Sequence, residues 1–483
     1  LETEEREELM RENQGYVNRR SFLTTTGTAT AGSLLATSAA GAVAGGTGKK
    51  VKLALVGTGI RGCTFWGKNI TSKYADVAEF VGLCDINPGR VKFAKKYIGV
   101  DCPVFTDFDE MLKKTDCDMV MVTTMDSTHH EFIVKALKAG KDVLTEKPMT
   151  TDEDKCKAIL DAEKASGKKV KVGFNYRYNP HYTKIRELLQ KKRVGEVVSV
   201  DFHWYLNTFH GASYFRRWHG IRACSGTLLV HKATHHFDLL NWWLDSDPVE
   251  VMAYGSLEHY GKNNSFRGEK CRGCEHYDKC KYHYDITKNK MYMDLYVANE
   301  KYDGYIRDNC LWRKEIDIYD KMSLQIKYAN NVMVNYSLTT YSPYEGMKIA
   351  FNGHKGRIDA WDGIPWRKQE KINQAQLHSK EMSQDAKDAV PEFEEIFVHD
   401  NFGSGKQIKI PKGRGGHGGG DKVLQDRIFR NPNIPDPMRH AAGTRDGAFS
   451  CIIGIAARKS IEEHRPVKIS ELLDIKPQAV RPV

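Results

Sequence analysis

Val51-Lys52-Leu53-Ala54-Leu55-Val56-Gly57-Thr58-Gly59-Ile60-Arg61-Gly62 is an apolar run of strand length that stops at three glycines spaced G-x-G-x-x-G, with a helix-compatible segment after it. The spacing has a physical reason. Gly57 lets the backbone turn tightly off the strand, and Gly59 has no Cβ to block a pyrophosphate. Gly62 lets the following helix pack close to the sheet, with its N-terminal N–H groups and dipole facing the phosphates. A second apolar run, residues 77–84, ends in Asp85, 23 residues past Gly62. That is where an acidic side chain accepts hydrogen bonds from the adenosine ribose hydroxyls. Gly57, Thr58, Gly59, Ile60, Arg61, Gly62 and Asp85 are therefore candidate dinucleotide-binding residues. A carboxylate at 85 repels a 2′-phosphate and favours NAD, while Arg61 and Arg90 lie near enough in sequence to leave NADP open. An empty structural turn is the rival reading, and the second strand with its terminal Asp argues against it.

With 483 residues there is room for two or three domains. Charged residues at 28% and hydrophobic ones at 40% describe an ordinary globular protein. A net charge of +11 invites a nucleic-acid reading, but Lys and Arg are scattered among 62 acidic residues and no basic helix with interleaved aromatics stands out. Nucleic acid is thus not an expected partner. No stretch is long and apolar enough for a stable membrane span. Asn18-Arg19-Arg20-Ser21-Phe22-Leu23 precedes a weakly hydrophobic run over 24–40, and Ala42-Val43-Ala44 offers small residues to a signal peptidase. Residues 1–44 read as a Tat-type signal, which exports folded proteins and gives a periplasmic location. A protein that acquires its dinucleotide before export needs such a route. Met10 is the expected start, behind Leu1 and an acidic run.

Over 45–173 short apolar runs (51–56, 78–84, 119–123, 142–145 and 169–173) alternate with helical stretches, clearest at 129–139 and 152–166. Alternating βαβα argues for a parallel sheet with helices on both faces. Asp107 and Asp152 sit where helix N-caps belong. From 174 to 483 the strands lengthen and alternate in polarity, and 322–329 and 332–339 are joined by Asn330-Asn331, a hairpin signal. This is an α/β domain with an open, mainly antiparallel sheet, one face packed and one free. Residues 371–420 are polar and lack periodicity, and read as loop. Residues 446–463 read as a helix.

Glu146-Lys147-Pro148 follows the strand at 142–145, at the carboxyl end of a parallel sheet where ligands bind. A lysine there can sit beside a nicotinamide and stabilise an alkoxide; a surface lysine ahead of a helix-starting proline is the alternative. Together, the Gly57–Gly62 turn, Asp85, Val122-Thr123-Thr124 with His129, Glu146-Lys147-Pro148 and Gly173-Phe174-Asn175-Tyr176-Arg177 resemble the Gfo/Idh/MocA family of glucose–fructose oxidoreductase and inositol dehydrogenase relatives. So do Arg445-Asp446-Gly447, Ala456-Ala457-Arg458-Lys459-Ser460-Ile461 and Arg465-Pro466-Val467. The resemblance runs from Lys50 to Leu473. It implies a Rossmann domain followed by an α/β domain whose open sheet often forms the contact of a homo-oligomer, a dimer or tetramer. It also implies hydride exchange between NAD and a sugar or cyclitol hydroxyl, with Thr123, His129, Glu146 and Lys147 at the cofactor and Lys147 as the active-site lysine.

The family's second catalytic element is usually Asp-x-x-x-His on a helix. His235 matches that histidine, a plausible base because its pKa lies near neutrality. His231 stands in place of the Asp, four residues earlier, which puts both imidazoles on one helical face. An imidazole cannot supply a fixed negative charge, so His231 reads as a relay or substrate ligand. Zinc at His231 and His235 is disfavoured by Lys232, an ammonium where a metalloprotease has its Glu. Two core histidines are the bland alternative. Tyr176, Arg177, Tyr214 and Trp218 suit stacking on, and hydrogen bonding to, a carbohydrate substrate.

Of eleven cysteines, Cys271, Cys274, Cys280 and Cys310 cluster in a polar insertion over 261–310. Four thiolates could hold a structural zinc, or form two disulfides after export, and His276 and His283 could compete as ligands. The insertion has no sequence link to the cofactor signature. Gly413-Arg414-Gly415-Gly416-His417-Gly418-Gly419-Gly420-Asp421 reads either as a lid that brings His417 to the substrate or as a solvated loop with Asp421 as an N-cap. It looks like a loop of the NAD-dependent glycosidase branch of the family, the α-N-acetylgalactosaminidase type, which also has Tat-like leaders. The leading expectation is an exported NAD-dependent enzyme that oxidises a ring hydroxyl of a sugar, glycoside or cyclitol. Its rivals are a redox-neutral glycosidase, which oxidises, eliminates, hydrates and reduces, and a non-catalytic sugar sensor that keeps the dinucleotide as a structural element.

Overall fold

The computed structural model describes residues 49–363 and 393–482. The expected export segment and residues 371–392 of the expected loop lie outside the described residues. The first apolar runs form β1 (Val51–Val56), β2 (Ala78–Cys84), β3 (Val104–Phe105), β4 (Met119–Val122), β5 (Asp142–Thr145) and β6 (Val170–Val172). They lie in the order β3-β2-β1-β4-β5-β6, every pair parallel. Leu53, Ala54, Leu55 and Val56 are all buried, because helices cover both faces of a parallel sheet; hence the unbroken apolar run rather than an alternating one. The strand order reverses between β1 and β4, so a crevice opens beyond their carboxyl ends. The flanking helices include His129–Lys138 and Glu153–Ser166. The Asp152 carboxylate accepts from Lys155 N at 3.0 Å and that of Asp107 from Glu110 N at 2.7 Å. Each cap contributes about 1 kcal/mol.

The second sheet has nine strands. They are β7 (Val197–Asn207), β8 (Pro248–Ser256), β9 (Lys321–Tyr328), β10 (Met333–Ser342), β11 (Gly346–Gly353), β12 (Gly356–Asp362), β13 (Phe393–Asp400), β14 (Gly405–Pro411) and β15 (Val467–Lys468). Their order is β14-β13-β12-β11-β7-β10-β9-β8-β15, antiparallel except between β7 and β10. The Asn330-Asn331 turn joins β9 to β10 with Asn331 at φ 65°. Met322, Leu324, Ile326 and Tyr328 point inward, and Lys321, Ser323, Gln325 and Lys327 outward. The helix Thr444–Glu463 packs on β8 and on the helix Thr234–Leu244. A side chain at Gly454 would collide with the Leu229 carbonyl, so this packing needs a glycine.

Two expectations are corrected. Within the stretch read as loop, β13 and β14 form a hairpin at the sheet edge; Ile396, Val398 and Ile410 fill its inner face, and the polar residues are the outward half of a strand alternation. Arg177, expected at the substrate, is 1% exposed and points away from the crevice. Its guanidinium grips Asp238 (Nε to Oδ2 2.8 Å, Nη2 to Oδ1 2.5 Å) and Asp446 (Nη2 to Oδ1 2.8 Å). The planar fork matches carboxylate geometry, and the cluster ties the segment after β6 to the two packed helices. Burial pushes the Asp446 carboxyl up, but Arg177 and Arg481 outweigh it and hold the group below its usual range. Arg177→Leu leaves the buried Asp238 without its partner and Asp446 with Arg481 alone. It should cost about 3–5 kcal/mol of stability, read as a lower Tm, with sugar affinity retained at a permissive temperature. An unchanged Tm with weakened sugar binding would return Arg177 to the substrate site.

Candidate active site

The crevice beyond β1 and β4 continues into the second domain as one cavity of about 2740 Å³, lined from Gly57 and Asp85 through Lys147 to His231, His235 and His417. A pocket for one drug-sized ligand is about 300–1,000 Å³, so the cavity has room for a dinucleotide and a sugar together.

Its cofactor end is built by the glycine elbow. Gly57 has φ +90°, and a Cβ there would lie 2.6 Å from the Thr123 carbonyl carbon. A Cβ at Gly62 would strike the Gly57 carbonyl oxygen, whereas one at Gly59 would meet only the Tyr296 hydroxyl, at 3.4 Å. Gly59 thus faces open space, as a pyrophosphate requires. Thr123 closes the elbow, its N–H donating to Val56 O at 2.9 Å. The Asp85 carboxylate accepts from Thr58 N at 2.8 Å and from Arg90 Nη2 at 3.1 Å. Arg90 also pairs with Asp303 at 2.5 Å, so its charge is already matched. Arg61 turns the other way, to Glu146 at 2.6 Å, and Trp66 Nε1 donates to the same oxygen at 2.8 Å. With both arginines engaged by carboxylates, the ribose end fits NAD. His129 ties two loops together: its nitrogens face Pro148 O at 2.8 Å and Thr124 O at 3.1 Å, leaving none for a cofactor.

The catalytic end is assembled from both domains. Lys147, just past β5, donates from Nζ to the His231 carbonyl at 2.9 Å. Burial, and then the charge of Lys232, lower its pKa to about 8. His231 Nδ1 lies 2.6 Å from Asp126 Oδ2. Asp126 opens a short turn after β4, so the carboxylate absent from position 231 reaches that imidazole from the other domain. The helix expected to carry both histidines is interrupted: His231 ends one segment and His235 lies in the next, after a turn at Lys232-Ala233. His235 stacks on Tyr176 with ring centres 4.1 Å apart, its Nδ1 buried without a partner. Burial, and then the Lys147 charge, hold both imidazoles well below their usual pKa, so both are neutral proton acceptors. Lys232 Nζ donates to the Tyr176 hydroxyl at 3.0 Å.

Tyr214 and Trp218 stand edge-on to His231, with ring centres 5.4 and 5.7 Å away, and line the cavity. His417 lies 5.6 Å from the Tyr176 ring, and its Nδ1 meets Asp421 Oδ2 at 3.0 Å. Asp421 is not an N-cap. Asn175 donates to it at 2.5 Å and Arg61 Nη2 stands 3.7 Å away, so the glycine loop is pinned to the cofactor elbow rather than solvated.

The cysteine insertion differs from expectation twice. Among the described residues no group of three or more His, Cys, Asp or Glu side chains is placed to hold a metal, and Cys271, Cys274, Cys280 and Cys310 are unbonded thiols. Cys310 Sγ instead accepts from Trp312 N at 3.4 Å, and the segment is fastened by a Lys270–Asn309 bridge and an Arg272–Asp308 ion pair at 2.8 Å. The insertion also reaches the cofactor elbow, where the Tyr296 hydroxyl accepts from Ile60 N at 2.8 Å. Asp126, Lys232 as a partner of Tyr176, and Tyr296 escaped the sequence reading. Of these only Asp126 carried a signal, its place just past a parallel strand.

Residues 51–174 match the oxidoreductase family described by its NAD-binding Rossmann fold, and residues 186–469 its C-terminal alpha/beta domain. YteT of Bacillus subtilis (strain 168), an oxidoreductase by name, is 36% identical over 444 residues, which covers 87% of this chain and 98% of that one. Inositol 2-dehydrogenase of Azotobacter vinelandii is 28% identical over 253 residues, 49% of this chain and 70% of the relative. Among solved structures, an oxidoreductase domain protein from Kribbella flavida has a TM-score of 0.61 at 16% identity, covering 87% of this chain and 99% of its own. The WlbA dehydrogenase from Bordetella pertussis, in complex with NADH and UDP-GlcNAcA, has a TM-score of 0.57 at 17% identity, covering 87% and 99%. At that identity the solved structures speak for the fold, and the family matches for the rest: this chain belongs to the Gfo/Idh/MocA family of NAD-dependent oxidoreductases.

Proposed function

We propose that the enzyme oxidises a ring hydroxyl of a sugar, glycoside or cyclitol and works after export through the Tat route. The observation that carries this is the meeting of Lys147, His231 and Asp126 in one cavity with the glycine elbow. Bound NAD supplies the hydride acceptor at its nicotinamide. Gly57 to Gly62 would hold the pyrophosphate, Asp85 the adenosine ribose, and Glu146 with Lys147 the nicotinamide end. The Lys147 ammonium stabilises the substrate alkoxide. A neutral imidazole takes the hydroxyl proton, and Asp126 steadies the imidazolium at His231, as a buried carboxylate does for a catalytic histidine. His235 offers a second acceptor against Tyr176. Aromatic faces at Tyr214 and Trp218 suit a sugar ring. The free face of the second sheet, with Tyr254 69% and Met333 64% exposed, supports a homo-oligomer contact.

A second reading is favoured by the Tyr176–Lys232 pair with His417 beside it. After oxidation at C3, a second proton-transfer group there could remove the C2 proton and expel the group at C1. An aryl glycoside incubated with purified enzyme and no added cofactor separates the two. Release of the aryl group without net NADH selects the redox-neutral glycosidase, whereas accumulated ketosugar and NADH select the dehydrogenase.

Two further results are expected. Oxidation should fall above about pH 8, because Lys147 loses its proton there. Lys147→Arg should carry that falling limb to higher pH, and an unmoved limb would remove the lysine from the step. Lys147→Ala should lower kcat/KM by about 10²–10³-fold with NAD retained, as measured by nucleotide release on denaturation.

A further inference from the structure

Arg217 and Arg307 line the same cavity as Lys147 and His231, and neither forms an ion pair with a carboxylate among the described residues, Arg307 bonding instead to the Tyr292 hydroxyl. Arg307 is 9% exposed and lies in the corner of two edge-to-face rings, its guanidinium carbon 4.1 Å from the centre of Tyr292 and 4.5 Å from that of Tyr296. Arg217 donates from Nε to Ser213 O at 2.8 Å and sits 5.3 Å from the centre of Tyr214. Ring faces fix the guanidinium planes and leave N–H edges for a ligand.

Carboxylates elsewhere in the cavity wall are engaged. Asp126 holds His231, Glu146 holds Arg61, Asp303 holds Arg90, Glu345 meets His210 at 2.9 Å, and Asp421 holds His417. Of the other buried guanidinium groups, Arg177, Arg186 and Arg481 are matched by acids, whereas Arg216, also in the cavity wall, donates to the Tyr282 carbonyl. A buried and a half-buried cation without a carboxylate in contact gain from an anion that arrives with the ligand. Burial, and next the charge of Arg307, push the Arg217 guanidinium below its usual range, whereas at Arg307 burial is outweighed by Tyr296, Tyr305 and Tyr292, which hold that guanidinium above its own.

We propose that Arg217 and Arg307 form a subsite for an anionic group, a carboxylate or phosphate, carried by the sugar that this site oxidises. The subsite rests on the carbohydrate reading above and narrows it to acidic sugars. Tyr214 borders both Arg217 and His231, so the anion would lie on the substrate side of the catalytic groups. The dinucleotide pyrophosphate is the other source of anionic oxygens, since Tyr296 links Arg307 to Ile60 N.

The test is calorimetry on the NAD-loaded enzyme with glucuronate, galacturonate and glucose 6-phosphate, each against its neutral parent, glucose or galactose. At least one acid should bind roughly 10-fold or more tightly than its parent, with the advantage shrinking as salt is raised. Arg217→Gln and Arg307→Gln should abolish that advantage while neutral-sugar affinity and NAD content stay unchanged. Arg307→Lys, which keeps the charge, should retain part of it and covers the case in which the Gln variant fails to fold. Equal binding of acids and parents by the wild type overturns the subsite. So do variants that shed NAD yet keep the acid preference, which would assign both guanidinium groups to the pyrophosphate. NADH formation is read separately. Acid preference without any hydride transfer leaves the subsite standing and removes the proposed oxidation, and turnover of neutral sugars without acid preference does the reverse.

Discussion

The hydrogen bond from Lys147 Nζ to the backbone carbonyl of His231, at 2.9 Å, ties the two halves of the site at their centre. Its donor hangs from the end of a parallel strand, and its acceptor belongs to the second domain. Beside it the Asp126–His231 contact crosses the same boundary. Both donor strands, β4 and β5, are fixed by burial on two faces, so the lysine and the aspartate stand on rigid supports. The other domain holds its histidines through the packed helices that the Arg177 cluster binds together. Ion pairs outside the cavity wall thus support the helix that carries His235.

Burial sets the chemistry of these groups. An imidazole removed from water resists protonation, so it rests neutral, and a proton taken up there has to be offset by a nearby carboxylate such as Asp126. The same burial, with a second ammonium near, brings Lys147 close to neutrality without discharging it. Positive charge therefore gathers where an alkoxide would form, and a low local dielectric makes that charge count for more than it would in water. The glycine loop that carries His417 is bound to the elbow through Asp421, Arg61 and Glu146, so the cofactor end and the substrate end share one network.

Much of the fold is legible in the chain because its signals are local. The glycine spacing, the alternation of strand and helix, the two Asp caps and the Asn-Asn hairpin are each decided within a few residues. Family resemblance pointed to Lys147 and His235, and aromatic chemistry near them in sequence to Tyr176, Tyr214 and Trp218. What could not be read depends on distant pairing. Arg177 sits in a motif beside Tyr176, but its guanidinium finds Asp238 and Asp446, which are 61 and 269 residues away. Asp126 replaces a carboxylate expected at position 231, from 105 residues earlier in the chain. The cysteine spacing suggested a metal or disulfides, yet backbone pairing and an ion pair hold that insertion, and its far end reaches the cofactor elbow. The β13–β14 hairpin was hidden because an edge strand with polar outer residues resembles loop when only composition is weighed.

The central claim is that Asp126 and His231 act as one proton-accepting unit although they come from different domains. A double-mutant cycle on kcat/KM for sugar oxidation, with Asp126→Asn, His231→Gln and both together, tests it most directly. If the pair works as a unit, the double variant is no slower than the His231→Gln variant alone, because the carboxylate has nothing left to steady. Losses that multiply would show two independent roles and contradict the account.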